Sequence, residues 1–248
     1  MGQDKVSFSA NDALLPSQLQ HLIDNAKNDI DRFILTVLGE CGLRAGELLH
    51  MRKGWVHVND EEAEIFGHNY IEIPSSGQIC DCEECRIQKF YQIRLNKYKE
   101  KHNVKHATTE WFRRMQKKYY RLKKLNKLPE LKRRWRPKSK KGAGKIPVDE
   151  ETGKIIKEFF KKYESLDMSR RTLYNRVSKH GLKILPDEHV YPHMLRATRA
   201  TILANSGKFT STDLRSFMRW SNIAVADHYL KEDSKRMFNS FKELENKV

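Results

Sequence analysis

No apolar run in the 248 residues approaches the roughly 20 that a membrane-spanning helix needs. The first ten residues, Met1 to Ala10, are polar and lack the apolar centre of a secretion signal. Both absences point to a soluble, cytoplasmic protein with no membrane partner. Cysteine is scarce too, at four residues, so the thiols read as free groups or metal ligands rather than a disulfide framework. Hydrophobic residues make up 38%, which is low but enough for a buried core at this length. Acidic residues are also short, with 32 Asp+Glu against 48 Lys+Arg and a net charge of +16. A polyanionic partner follows, nucleic acid first and an acidic membrane surface second.

The surplus charge is concentrated. Residues 86–141 hold 22 Lys+Arg and 3 Asp+Glu, so the rest of the chain is slightly acidic. Charge this one-sided repels itself unless a partner neutralises it, and it supplies phosphate contacts that release counterions.

Periodicity predicts helices over about 17–26, 29–41, 44–51, 108–128, 150–164, 169–181, 194–205, 212–218 and 223–230. Strands are expected at 55–59, 64–66 and 70–73, and a hairpin over 135–148 with its turn at 140–144. The segment 235–247 is amphipathic, with Met237, Phe238, Phe241 and Leu244 on one side. The class is α+β, mostly α-helical with a small antiparallel sheet.

Chemistry gathers in two places. Upstream stands Gly42-Leu43-Arg44-Ala45-Gly46-Glu47-Leu48-Leu49, and downstream Pro192-His193-Met194-Leu195-Arg196, followed by Trp220 and Tyr229. Two arginines, a histidine, an indole N–H and a phenol can break a phosphodiester with a protein nucleophile and no metal. The phenol must lose a proton from a pKa near ~10. Forked guanidiniums suit the non-bridging oxygens, and a Lys or His suits the leaving oxygen. Taken singly, each residue has a plainer reading: Arg44 as a surface ion pair, His193 as a cap, and Trp220 and Tyr229 as helix packing.

In order and spacing, these residues resemble the catalytic domain of the tyrosine recombinase (phage integrase) family. Gly42–Leu48 is similar to that family's first-arginine box, and His193-Met194-Leu195-Arg196 to its His-x-x-Arg box. Phe217-Met218-Arg219-Trp220-Ser221 with Tyr229 is similar to its final box. Pro137–Pro147 resembles its lysine-bearing hairpin. The wording Pro192–Thr198 and the Cys80-Asp81-Cys82-Glu83-Glu84-Cys85 insertion resemble archaeal integrases, and with them integration of a viral genome. The resemblance spans about 17–232. It implies a lead-in over 1–16, a catalytic domain over 17–232 with a basic insertion at about 78–135, and a C-terminal segment over 233–248. The family's N-terminal DNA-clamping domain has no counterpart here. The chain is therefore expected to be a truncated form, with a naturally minimal enzyme as the alternative.

The resemblance further implies a site-specific DNA recombinase that works as a tetramer on double-stranded DNA. Tyr229 would be the nucleophile and form a 3′-phosphotyrosyl link. Arg44 and Arg196 would clamp the phosphate, Trp220 would donate its indole N–H, and His193 would act on the phenol. Lys138 would protonate the leaving 5′-hydroxyl, with Lys140 and Lys141 as neighbours of the same hairpin. Glu47, one turn after Arg44, could orient the site. Where many relatives carry a second histidine, this chain has Ala197. The alternatives are a type IB topoisomerase-like enzyme and a non-catalytic DNA-binding protein on the same fold. No cofactor is required for such catalysis. Cys80, Cys82 and Cys85 form a candidate structural zinc site, with His102 or His106 as the expected fourth ligand and Cys41 as a less favoured one.

Overall fold

Phe33 lies at the centre of the main core. It sits on α2 (Asp29–Gly39), which starts where the Asn28 side chain accepts from the Asp31 N–H at 3.0 Å. The buried residues of α2 pack chiefly on α1 (Pro16–Asp24), α7 (Glu150–Lys162) and α9 (Pro192–Asn205). Phe33 stacks on Phe159 with ring centroids 3.7 Å apart, and Phe160 meets it edge-on. Two further helices, α8 (Arg170–Ile184) and α10 (Ser211–Met218), pack on α9, and α10 leads into the short α11 (Ala224–Asp227). The computed structural model describes residues 13–138 and 140–230, so the amphipathic segment at 235–247 lies outside the described residues.

Between α2 and α7 runs α3 (Ala45–His50), a 3-10 turn at Lys53–Trp55, then β1 (Val56–His57), α4 (Glu61–Phe66) and β2 (Tyr70–Ile73). Next come β3 (Gln78–Cys80), α5 (Glu83–His102), α6 (Thr109–Lys124), β4 (Arg133–Trp135) and β5 (Gly144–Pro147). Strands β1, β2 and β5 form one antiparallel sheet, in which Ile71 pairs with Val56 and Ile146. Strands β3 and β4 form a second sheet, which pairs Cys80 with Arg133.

Three sequence expectations are corrected here. The segment 135–148 is not a hairpin, because β4 and β5 pair with different partners. Strand β5 instead completes a pair with β2, and residues 74–143 form one long excursion between them. Residues 64–66 are helical rather than extended. Asp60 accepts from the Ala63 N–H at 2.9 Å, acidic residues fill the first turn, and Gly67 ends α4 at φ +80°. Of 55–59, only Val56 and His57 are strand.

The basic excursion is anchored at its root. The Glu83 N–H donates to Asp167 at 2.7 Å, Arg86 pairs with Asp167 at 3.0 Å, and the Arg170 N–H donates to Glu84 at 2.8 Å. Helices α5 and α6 share a separate small core of Phe90, Tyr119 and Leu131. Helix α5 escaped sequence reading because its 20 residues carry few apolar side chains and no continuous stripe.

Phe33→Ala should cost about 3–5 kcal/mol, since it removes a fully buried ring from a stacked pair. Urea unfolding of the two proteins measures that difference directly.

Candidate functional site

Arg44 is the N-cap of α3, and Glu47 stands at the third position of that helix. The Glu47 carboxylate reaches back to the Arg44 N–H at 2.8 Å and pairs with its guanidinium at 2.7 Å. The same carboxylate takes a 2.7 Å bond from Arg219, which is itself buried. Arg44 also donates to the Arg219 carbonyl at 3.1 Å. One carboxylate thus ties the start of α3 to the end of α10, across 172 residues of sequence. Burial pushes the Glu47 pKa up, but Arg219, Arg196 and Arg44 outweigh it and hold the carboxyl below its usual value.

Arg219 adopts a left-handed conformation, φ +51°, at a position where helices commonly place glycine. The Arg219 N–H bonds the Ser216 carbonyl at 3.1 Å, and the Trp220 N–H bonds the Arg215 carbonyl at 3.0 Å. This turn ends α10 and aims the two side chains apart. Arg219 goes inward to Glu47, while Trp220 stacks on Tyr229 with centroids 5.2 Å apart and planes 20° apart.

Arg196 rises from α9 between these pieces and is almost fully buried. Its guanidinium donates to the carbonyls of Gly42, in the turn between α2 and α3, and Met218, the end of α10. Gly42 turns there at φ +59°, a conformation that suits glycine and exposes its carbonyl. Among the described residues, no carboxylate lies within ion-pair distance of Arg196. Burial, then the charges of Arg44 and Arg219, lower its pKa from the ordinary arginine value, yet a guanidinium stays charged. Tyr229 is among the groups acting electrostatically on Arg196.

Arg44, Lys138, His193 and Arg196 line one cavity of about 740 Å³. Arg133, Arg136 and Arg170 line it as well, and Tyr174 and Tyr191 supply aromatic wall. His193 follows Pro192 in the first turn of α9 and is exposed towards this space. Partial enclosure of its ring by the cavity wall, then Arg196 and Arg44, lower its pKa from the usual imidazole value, which favours the neutral form. Lys141 points elsewhere, with Nζ 3.5 Å from the Ser221 carbonyl. Trp220 and Tyr229 do not line the cavity; they stack on each other. Ala197 is buried in the core.

Sequence reading gave Arg219 no role, although it stands directly before Trp220. Arg133, Arg136 and Arg170 escaped because they reach the cavity from the β4 segment and α8, away from both boxes. The cysteine cluster also needs correction. Cys80, Cys82 and Cys85 meet His50, and all four ligand atoms lie within 4.8 Å of one another. His102 ends α5, 17 residues beyond Cys85, about 25 Å away at the helical rise. His106 follows beyond that helix, and Cys41 is buried next to Gly42.

Glu47→Gln should cost about 3–5 kcal/mol, because it strips the anion from buried Arg219. The pH dependence has a definite sign. The folded carboxyl sits below the ordinary value of 4.5, so wild type keeps this stability above pH 4.5 and loses it as pH falls further. Urea midpoints should therefore fall more steeply in acid for wild type than for Glu47→Gln.

Comparison with known proteins identifies the family and the fold. The phage integrase family model matches residues 12–236. Among curated proteins, no match is found. The XerA recombinase crystal structure covers 98% of this chain at 14% identity and a TM-score of 0.53, with 66% of its own length matched. A Tn1549 transposon integrase, in complex with a circular intermediate DNA, covers 98% at 16% identity and a TM-score of 0.58, with 68% of its length matched. The chain thus spans about two thirds of the length of these structures, and at such identities the likeness is one of fold. Fold, family model and the convergence of the two boxes agree: the chain belongs to the phage integrase family, the tyrosine recombinases.

Proposed function

We propose that this protein is a site-specific DNA recombinase that cuts and rejoins strands through a 3′-phosphotyrosyl intermediate. The observation that carries the reading is the single cavity lined by Arg44, Lys138, His193 and Arg196, with Tyr229 stacked on Trp220 and acting electrostatically on Arg196. A phosphodiester entering that cavity meets two fixed guanidiniums whose remaining donors fit its two non-bridging oxygens. Tyr229 attacks phosphorus and gives up its proton, with neutral His193 as the acceptor. The bond from phosphorus to the 5′-oxygen breaks, and Lys138 protonates the leaving hydroxyl. A 5′-hydroxyl from another strand then reverses the step and releases Tyr229. The Trp220 indole can donate to the phosphate but cannot shuttle a proton. The chemistry calls on no cofactor.

Lys138 is preferred to Lys141 because it lines the cavity while Lys141 faces the Ser221 carbonyl. Exchange between two duplexes requires a homo-tetramer on double-stranded DNA, working inside the cell. The basic excursion, α5 and α6, lies along phosphate backbone and adds affinity without choosing sequence. The wording of Pro192–Thr198 and the cysteine insertion support an enzyme resembling archaeal integrases, acting in integration of a viral genome.

The test uses a pool of nicked duplexes with randomised centres. Wild type should retain DNA through a denaturing wash, and Tyr229→Phe should retain none while still binding DNA. Arg196→Lys should lower covalent capture by about 100-fold or more. No wild-type adduct, or an undiminished Tyr229→Phe adduct, contradicts the reading. Plasmid relaxation without exchange between two captured sites would favour a topoisomerase.

A further inference from the structure

The insertion meets the catalytic framework at a corner made by the last residue of α3, the end of β3 and the first turn of α5. His50, Cys80, Cys82 and Cys85 are all buried there, at 0–5% exposure, with ligand atoms within 4.8 Å of one another. Two segments thirty residues apart would gain nothing specific from gathering three thiols and an imidazole as mere packing. The imidazole is also oriented. Its Nδ1 is 2.5 Å from the Gly46 carbonyl, which fixes Nδ1 as the protonated nitrogen. The lone pair of Nε2 therefore points at the cysteines, 3.1 Å from Cys85 Sγ. The Trp135 ring stacks on the imidazole at 4.7 Å and holds its plane.

We propose that His50 Nε2 and the thiolates of Cys80, Cys82 and Cys85 bind one structural zinc ion. Zinc takes four ligands of this kind as a tetrahedron, with sulfur at about 2.3 Å and nitrogen at about 2.0 Å. Such a shell sets ligand atoms about 3.5–3.8 Å apart, a small adjustment of the observed cluster. Three thiolates and a neutral imidazole leave the centre with one net negative charge. Arg52 answers it, with its guanidinium 3.0 Å from Cys80 Sγ. The N-terminus of the 20-residue α5, capped by Cys82, favours thiolate on the same side. The Gly46 carbonyl on His50 Nδ1 is the kind of outer partner that fixes a metal-bound histidine.

The centre clips the basic excursion to α3, the helix whose N-cap is Arg44. His50 is the far end of that helix and lines the same cavity. The metal takes no part in strand cleavage; it fixes α3 and, on the recombinase reading, the guanidinium that Arg44 presents to phosphate. Zinc binding itself is independent of that reading.

Metal analysis of the full chain, purified from zinc-replete cells and passed over a chelating resin, should give one zinc per chain. Zinc-edge X-ray absorption of wild type should fit three sulfurs and one nitrogen. This needs no variant, so a folding defect cannot confuse it. His50→Ala should lose the nitrogen from that shell or lose the metal, whereas His102→Ala, His106→Ala and Cys41→Ser should keep both content and spectrum. Wild type without stoichiometric zinc, a shell of four sulfurs or of nitrogen and oxygen alone, or an unchanged His50→Ala spectrum overturns the site. If zinc is present but no DNA adduct forms, the metal centre stands and the recombinase reading falls.

Discussion

A single buried carboxylate organises this molecule. Glu47 accepts from Arg44 and Arg219 and counts Arg196 among the charges that keep it ionised. One anion among three guanidiniums leaves a positive surplus that water is too excluded to screen. That surplus is held still by backbone. Arg196 is pinned by two helix-end carbonyls, and Arg219 by a helix-ending turn that costs conformational energy. The cluster is thus rigid and charged before any ligand arrives, which is what binding a phosphate in flight requires.

The rest of the architecture reads as a consequence. Helices α3, α9 and α10 and the turn after α2 each contribute to the cluster, and the Phe33 core joins α2 to α7. The sheet brings in the remaining wall, since residues 133–138 enter the cavity between β4 and β5. The excursion between β2 and β5 adds a basic surface without disturbing that frame. Its root is fixed by Asp167 and Glu84 on one side and by the His50 corner on the other.

Most of the helices were legible because their apolar residues recur at helical spacing and their caps are Asn28, Thr108, Asp149, Ser169 and Thr210. The two boxes stood out in the sequence because Arg44, His193, Arg196, Trp220 and Tyr229 keep an order that resembles the family's. What failed was non-local. Strand pairing cannot be read from 135–148 when the true partner of β5 is the distant Tyr70–Ile73 strand. The role of Arg219 depends on a carboxylate 172 residues away. His50 was hidden because a histidine ending a six-residue helix carries no mark of three cysteines thirty residues later. Helix α5 lacked an apolar stripe, because it leans on a small private core rather than the main one.

The central claim is that this rigid arginine cluster serves a tyrosine nucleophile, and that of nine tyrosines Tyr229 is the one. Mass spectrometry of the covalent protein–DNA adduct tests it most directly. After nuclease and trypsin digestion, the account predicts one nucleotide-bearing peptide, residues 220–231, with phosphate on Tyr229. A nucleotide on any other tyrosine, or on no tyrosine, would contradict it.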